Sequence, residues 1–115
     1  VALTKSRAAI TQLTASGTST TLDVSASYQT TCYIKHVNGT GTITGQGTAV
    51  VQVRTNGGTE WYDLTEVGFG TTASDVVEVA VDVPADADDV QIVYTAPAGS
   101  TGHTLDAEVG TITSL

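Results

Sequence analysis

The run Asp75-Val-Val-Glu-Val-Ala-Val-Asp-Val83, with Asp89-Val-Gln-Ile-Val-Tyr94 close behind it, constrains this chain more than any other feature. In the first run Val77, Val79, Val81 and Val83 fall on one side, while Glu78, Ala80 and Asp82 fall on the other. A period of two is what a strand with one dry face and one wet face requires. The second run places Val90, Ile92 and Tyr94 on one face and Gln91, Val93 and Thr95 on the other. Between them lies Pro84-Ala-Asp-Ala-Asp-Asp89, rich in turn formers.

Similar patterns recur along the chain. Thr30–Asn38 sets Cys32, Ile34 and His36 opposite Thr31, Tyr33, Lys35 and Val37. Ala49–Thr55 sets Ala49, Val51 and Val53 opposite Val50, Gln52 and Arg54. His103–Thr113 sets Leu105, Ala107 and Val109 opposite Asp106 and Glu108. Shorter strands are expected near Ala8–Leu13, at Thr21–Ser25, around Ile43 and over Glu60–Thr65, with a Gly- and Thr-rich connection over Thr65–Ser74. Asn38-Gly-Thr-Gly41 and Thr55-Asn-Gly-Gly-Thr59 read as turns, since Asn and Gly accept positive φ cheaply, and the second is the strongest hairpin signal.

Seven to nine strands with turns every 8–12 residues predict an all-β antiparallel β-sandwich of Ig-like or related Greek-key topology, with a jelly roll or small barrel as the alternative. At 115 residues the chain makes one domain, divided into an N-terminal arm and first strand over 1–13 and a sandwich over 14–115.

Charged residues are only 14% of the chain, against about a quarter in ordinary domains. All four basic residues, Lys5, Arg7, Lys35 and Arg54, lie in the first 54 positions beside one acid, Asp23. Residues 55–115 hold 11 acids and no Lys or Arg, so the two segments carry formal charges of +3 and −11. That acidic surface argues against a nucleic-acid partner, and no apolar run approaches the ~18 residues of a membrane span. A basic arm docking on an acidic surface is one reading of the split; acids decorating wet strand faces is the plainer one. One cysteine permits no internal disulfide, and the absence of a visible leader points to synthesis in the cytoplasm.

No residue pattern predicts a reaction. Cys32 and His36 stand four residues apart on one strand face, roughly 13 Å, too far to share a metal. Cys32 reads as a small buried hydrophobe, and no glycine-flanked nucleophile elbow surrounds it or any Ser. Asp86, Asp88 and Asp89 lack the spacing of a calcium loop and are expected to cap turn amides. Neither a catalytic residue, a metal nor a cofactor is therefore assigned. Trp61-Tyr62 could form a sugar-stacking platform, but neighbours on a strand point to opposite faces, so Trp61, the single Trp, is expected in the core. Asn38-Gly-Thr40 matches a glycosylation sequon and is read as a turn.

Two stretches carry a resemblance. They are Tyr33-Ile-Lys-His-Val-Asn-Gly-Thr-Gly-Thr42 through Val51-Gln-Val-Arg-Thr-Asn-Gly-Gly-Thr-Glu-Trp-Tyr62, and Val83-Pro-Ala-Asp-Ala-Asp-Asp-Val-Gln-Ile-Val-Tyr94 through Gly102-His-Thr-Leu-Asp-Ala-Glu-Val109. In composition and turn placement the chain resembles head decoration (cement) proteins of tailed bacteriophages and related Ig-like virion domains. The resemblance implies a non-enzymatic structural protein, made in the host cytoplasm and carried on the virion. Its partner would be the major capsid protein on the outer surface of the head, with self-association there a further option. It implies capsid contact through the N-terminal arm, which here brings Lys5, Arg7, Ile10 and Leu13 forward. On that reading, deleting residues 1–13 abolishes attachment and leaves the sandwich folded. A phage tail or fibre domain, and a carbohydrate-binding module using Trp61 and Tyr62, are the alternatives.

Overall fold

The computed structural model describes residues 3–114; Val1 and Ala2 of the expected arm lie outside them. Nine strands and no helix are present among these residues: β1 (Thr4–Ala9), β2 (Gly17–Thr18), β3 (Leu22–Asp23), β4 (Gln29–Val37), β5 (Thr48–Thr55), β6 (Tyr62–Gly68), β7 (Val76–Val83), β8 (Ala87–Thr95) and β9 (Thr104–Ser114). They form two antiparallel sheets packed as a sandwich. One has the order β1-β9-β4-β7; the other has β2-β8-β5-β6, with β3 also pairing β8.

The pairings are nested. β5 and β6 join through the expected turn, where Gly57 takes φ 72°, a conformation that penalises any Cβ. Outside them β4 pairs β7, then β2 and β3 pair β8, and β1 pairs β9 outermost. The chain is thus one long hairpin rolled up, and the rolling brings β4 against β9 and β5 against β8. The β-sandwich is as expected, and its strand order is that of the jelly roll, the alternative to the Ig-like arrangement.

The alternation read from the sequence sets the core. Cys32 and Ile34 of β4 lie across from Val109 and Ala107 of β9, while Val51 and Val53 of β5 lie across from Ile92 and Val90 of β8. All eight are buried in one apolar cluster between the sheets. Leu22, Val24, Phe69 and Tyr94 complete it.

Several local expectations are corrected. The first strand is Thr4–Ala9, not Ala8–Leu13. Ile10 instead turns into the core, its N–H bonded to the Ala107 carbonyl, and Leu13 bridges to Leu105. No strand forms at Ile43, which is buried inside a loop held by the single bridges Thr40–Thr101 and Gly45–Ala98. β6 starts at Tyr62 and continues to Gly68, so the connection to β7 is shorter than the glycines suggest.

Trp61 does not enter the core. It is half-buried just before β6, beside Arg54 on the face opposite the buried Val53, and the Arg54 guanidinium lies 4.6 Å from the centre of its ring. Phe69 and Tyr94 fill the aromatic interior in its place.

Candidate functional site

β1 is the most exposed long element of the sandwich. Every residue from Thr4 to Ala9 is open to solvent. The strand is held by its backbone pairing to β9 and by Ile10, whose buried side chain anchors its C-terminal end. Because Ile10 points inward, alternation sends Lys5, Arg7 and Ala9 to the outer face and Ser6 and Ala8 to the inner one. The inner face stays uncovered because the strands on that side of the opposite sheet, β2 and β3, have two residues each.

The outer face of this sheet gathers three of the four basic residues, Lys5, Arg7 and Lys35. Arg7 lies 3.5 Å from the Glu108 carboxylate, an exposed pair of little energetic weight. Lys35 stands between Glu78 of β7 and Asp106 of β9. Tyr33, about half exposed, lies against Gly110, where a Cβ would come within 3.4 Å of the ring.

Of the residues expected at a capsid contact, the structure places Lys5 and Arg7 together on one exposed strand. It turns the other two toward the core. Ile10 is 8% exposed and belongs to the core, and Leu13 is packed against that core. Deleting residues 1–13 would therefore strip core contacts as well as the basic strip.

The sugar-stacking pair is not assembled as a platform. Tyr62 is exposed on β6, but one face of Trp61 is covered by Arg54. Arg54 is fixed in turn by two bonds to Asp89, at 3.0 and 2.8 Å. The acidic corner is used structurally. Asp88 accepts the Gly57 N–H, Asp89 holds Arg54, and the Asp86 carbonyl accepts the Asn56 N–H, tying this corner to the β5–β6 turn.

The interior holds one polar network that no local sequence signal announces. His36 of β4 stacks on Phe69 at 3.9 Å with the rings 8° from parallel. Its Nε2 lies 2.7 Å from the Tyr94 hydroxyl, which lies 2.9 Å from His103 Nδ1. His36 Nδ1 is buried without a partner. An orphaned acceptor is tolerated better than an orphaned N–H, which assigns the direction: His36 Nε2–H donates to Tyr94, and Tyr94 O–H donates to His103. Burial, then the facing His103, pushes the His36 pKa down to about 4, and burial pushes Tyr94 up to about 12.

A second buried polar group is Asn38, whose Nδ2 donates to the carbonyls of Phe69, Gly70 and Thr72 at 2.9, 3.4 and 3.1 Å. The side chain of the sequon is thus fully buried and holds the loop before β7. Cys32 is wholly buried, with its thiol pushed up to about 11 by desolvation. Among the described residues no group of three or more His, Cys, Asp and Glu is placed to hold a metal ion.

No protein-family model matches the sequence, and no curated protein matches it significantly. Among solved structures, a chain from the work titled "Bacillus endospore appendages form a novel family of disulfide-linked pili" superposes with a TM-score of 0.49. The alignment covers 100% of this chain and 93% of that one, at 19% identity. A likeness of that size carries no argument about what this chain does.

Proposed function

We propose that this chain is a non-enzymatic structural protein that works by surface contact, as a decoration protein on the outside of a phage head. The observation that carries the reading is β1, a fully exposed strand bearing Lys5 and Arg7 on the margin of an otherwise acidic domain. Its backbone pairs with β9 and its end is anchored by Ile10, so the two cations are presented side by side on one exposed strand face. Such a strip suits an acidic patch repeated over a protein shell. A ligand that binds only the assembled shell stabilises it by mass action, and repetition multiplies a modest contact.

The buried polar groups support the same reading. His36, Tyr94 and His103 are committed to one another, and Cys32 is sealed and protonated, so each is explained by the fold it holds.

The test is co-sedimentation of the purified protein with phage heads that lack it, together with the heat resistance of the loaded shell. Saturable binding that raises the shell's melting temperature is expected. The variant K5E/R7E, which leaves Ile10 and Leu13 in place, should lose that binding while its own melting temperature is retained. Heads that bind neither protein, or both equally, would refute the proposal.

A further inference from the structure

The sheet β1-β9-β4-β7 ends in two long strands, and among the described residues nothing pairs with the outer edge of either. An open strand edge is a template for another strand, and proteins that stay single usually shorten, twist or cover it. β7 is neither shortened, bulged nor covered, and its one guard is the pair of charges Glu78 and Asp82. It is eight residues long, free of Pro, Gly and register shifts, and exposes Val76.

The two edges are complementary in charge. β1 carries Lys5 and Arg7 and no acid, while β7 carries Glu78 and Asp82 and no base. They are also complementary in direction. The four strands alternate, so β1 and β7 run oppositely, and a second copy in the same orientation brings its β7 antiparallel to β1.

The free backbone groups match as well. In an antiparallel ladder alternate residues bond to one side. The Ile10 N–H bonds Ala107, which leaves the groups of Lys5, Arg7 and Ala9 facing away from β9. The Asn38 N–H bonds the Asp75 carbonyl, which leaves those of Val76, Glu78, Ala80 and Asp82 facing away from β4. On both edges the residues with free backbone groups also point to the sheet's outer face.

We propose that β1 of one copy pairs with β7 of a second copy, extending the sheet head to tail from molecule to molecule. The register that best satisfies the charges sets Lys5 across from Asp82, Arg7 across from Ala80, and Ala9 across from Glu78. Arg7 then has Glu78 and Asp82 on its two diagonals, within reach of a long side chain, and the small Ala80 leaves it room. On the inner face Ser6 and Ala8 meet Val81 and Val79, which the isolated molecule leaves half exposed. The short β2 and β3 leave that side of the sandwich open for the approach. Because the two surfaces differ, the contact is heterologous and produces rings or filaments instead of a closed dimer.

The inference shares with the capsid reading only the premise that β1 is a contact strand. Its test uses the protein alone, so the two can fail separately. Sedimentation velocity and negative-stain microscopy of the full chain, up to about 1 mM to detect even a millimolar contact, should show oligomers that grow with concentration. They should shrink in about 1 M salt, where screening acts over about 3 Å. K5E/R7E has two acidic edges and E78K/D82K has two basic ones. Each is expected to be monomeric alone, with an unchanged circular dichroism spectrum, and an equimolar mixture is expected to assemble. A wild-type protein that stays monomeric in low salt would mean that the charges merely blunt the edges, and overturns the proposal. So would assembly that survives either reversal, or folded variants whose mixture fails to assemble.

Discussion

Acidification should destabilise this fold through His36, and the size of the effect can be worked out. The ring is wholly buried, stacked on Phe69, bonded to Tyr94 and faced by His103, and its pKa is held down to about 4. In the unfolded chain it titrates near 6.5. Between those values the unfolded chain binds a proton that the native state refuses, so stability falls as pH falls. The contribution is complete above pH 6.5 and declines by about 1.4 kcal/mol for each unit below it. It is about 2 kcal/mol smaller at pH 5, and the decline ends near pH 4.

The self-repulsion of a chain with net charge −8 also changes with pH. The raw profile therefore mixes two effects, and a variant must separate them. His36→Phe keeps an aromatic ring against Phe69 and leaves the Tyr94 O–H its His103 acceptor. It removes one hydrogen bond and one orphaned buried nitrogen together, so its stability at pH 7 should lie within about 1 kcal/mol of wild type. Urea denaturation followed by Trp61 fluorescence at pH 7, 6 and 5 reads the difference. Relative to the variant, wild type should lose about 2 kcal/mol by pH 5, or roughly 8 °C in melting temperature for a domain of this size. Parallel profiles for the two proteins would refute the assignment of the acid response to His36.

The other buried groups make narrower predictions. Cys32, sealed between Val81 and Val109 with its thiol at about 11, should resist aromatic disulfide reagents in the native protein at pH 8 and react at once in urea. Asn38→Ala removes an amide whose two hydrogens serve the loop carbonyls and should cost about 2 kcal/mol by denaturant titration, although the sequence reads this stretch only as a turn.

Legibility in the sequence followed the range of the interaction. β4, β5, β7, β8 and β9 could be read with the correct face inward, because alternation is a local property that burial enforces residue by residue. The β5–β6 hairpin was equally plain from Asn56-Gly57-Gly58. What failed was whatever depends on where a strand ends up. Trp61 looks like core by its size, yet it lies beside Arg54 on the wet face of its strand pair, where Arg54 covers it. Ile10 and Leu13 looked like arm residues by their position, yet they are where the chain turns into the sandwich. His36, Tyr94 and His103 come from different strands and a loop end, and each is unremarkable on its own face. Only the rolled order of strands brings them within hydrogen-bonding distance.

The same rolled order explains why the basic strip ends as an open strand. β1 pairs the last strand, and the sheet opposite it ends in β2 and β3, each too short to cover a six-residue neighbour. The residues from Thr4 to Ala9 consequently bury no apolar side chain, and the hydrophobic effect does not hold them in place. Backbone pairing to β9 and the single anchor at Ile10 must do so. An element built this way sits at the low end of a protein's local stabilities. It is ordered at a cost in conformational entropy that the isolated domain recovers poorly. That cost is offset if Ser6 and Ala8 gain a covering surface and Lys5 and Arg7 gain carboxylates, and a second copy offers both on one strand. The weakness of β1 in the single molecule and its fit to β7 of a neighbour are thus two consequences of the same topology.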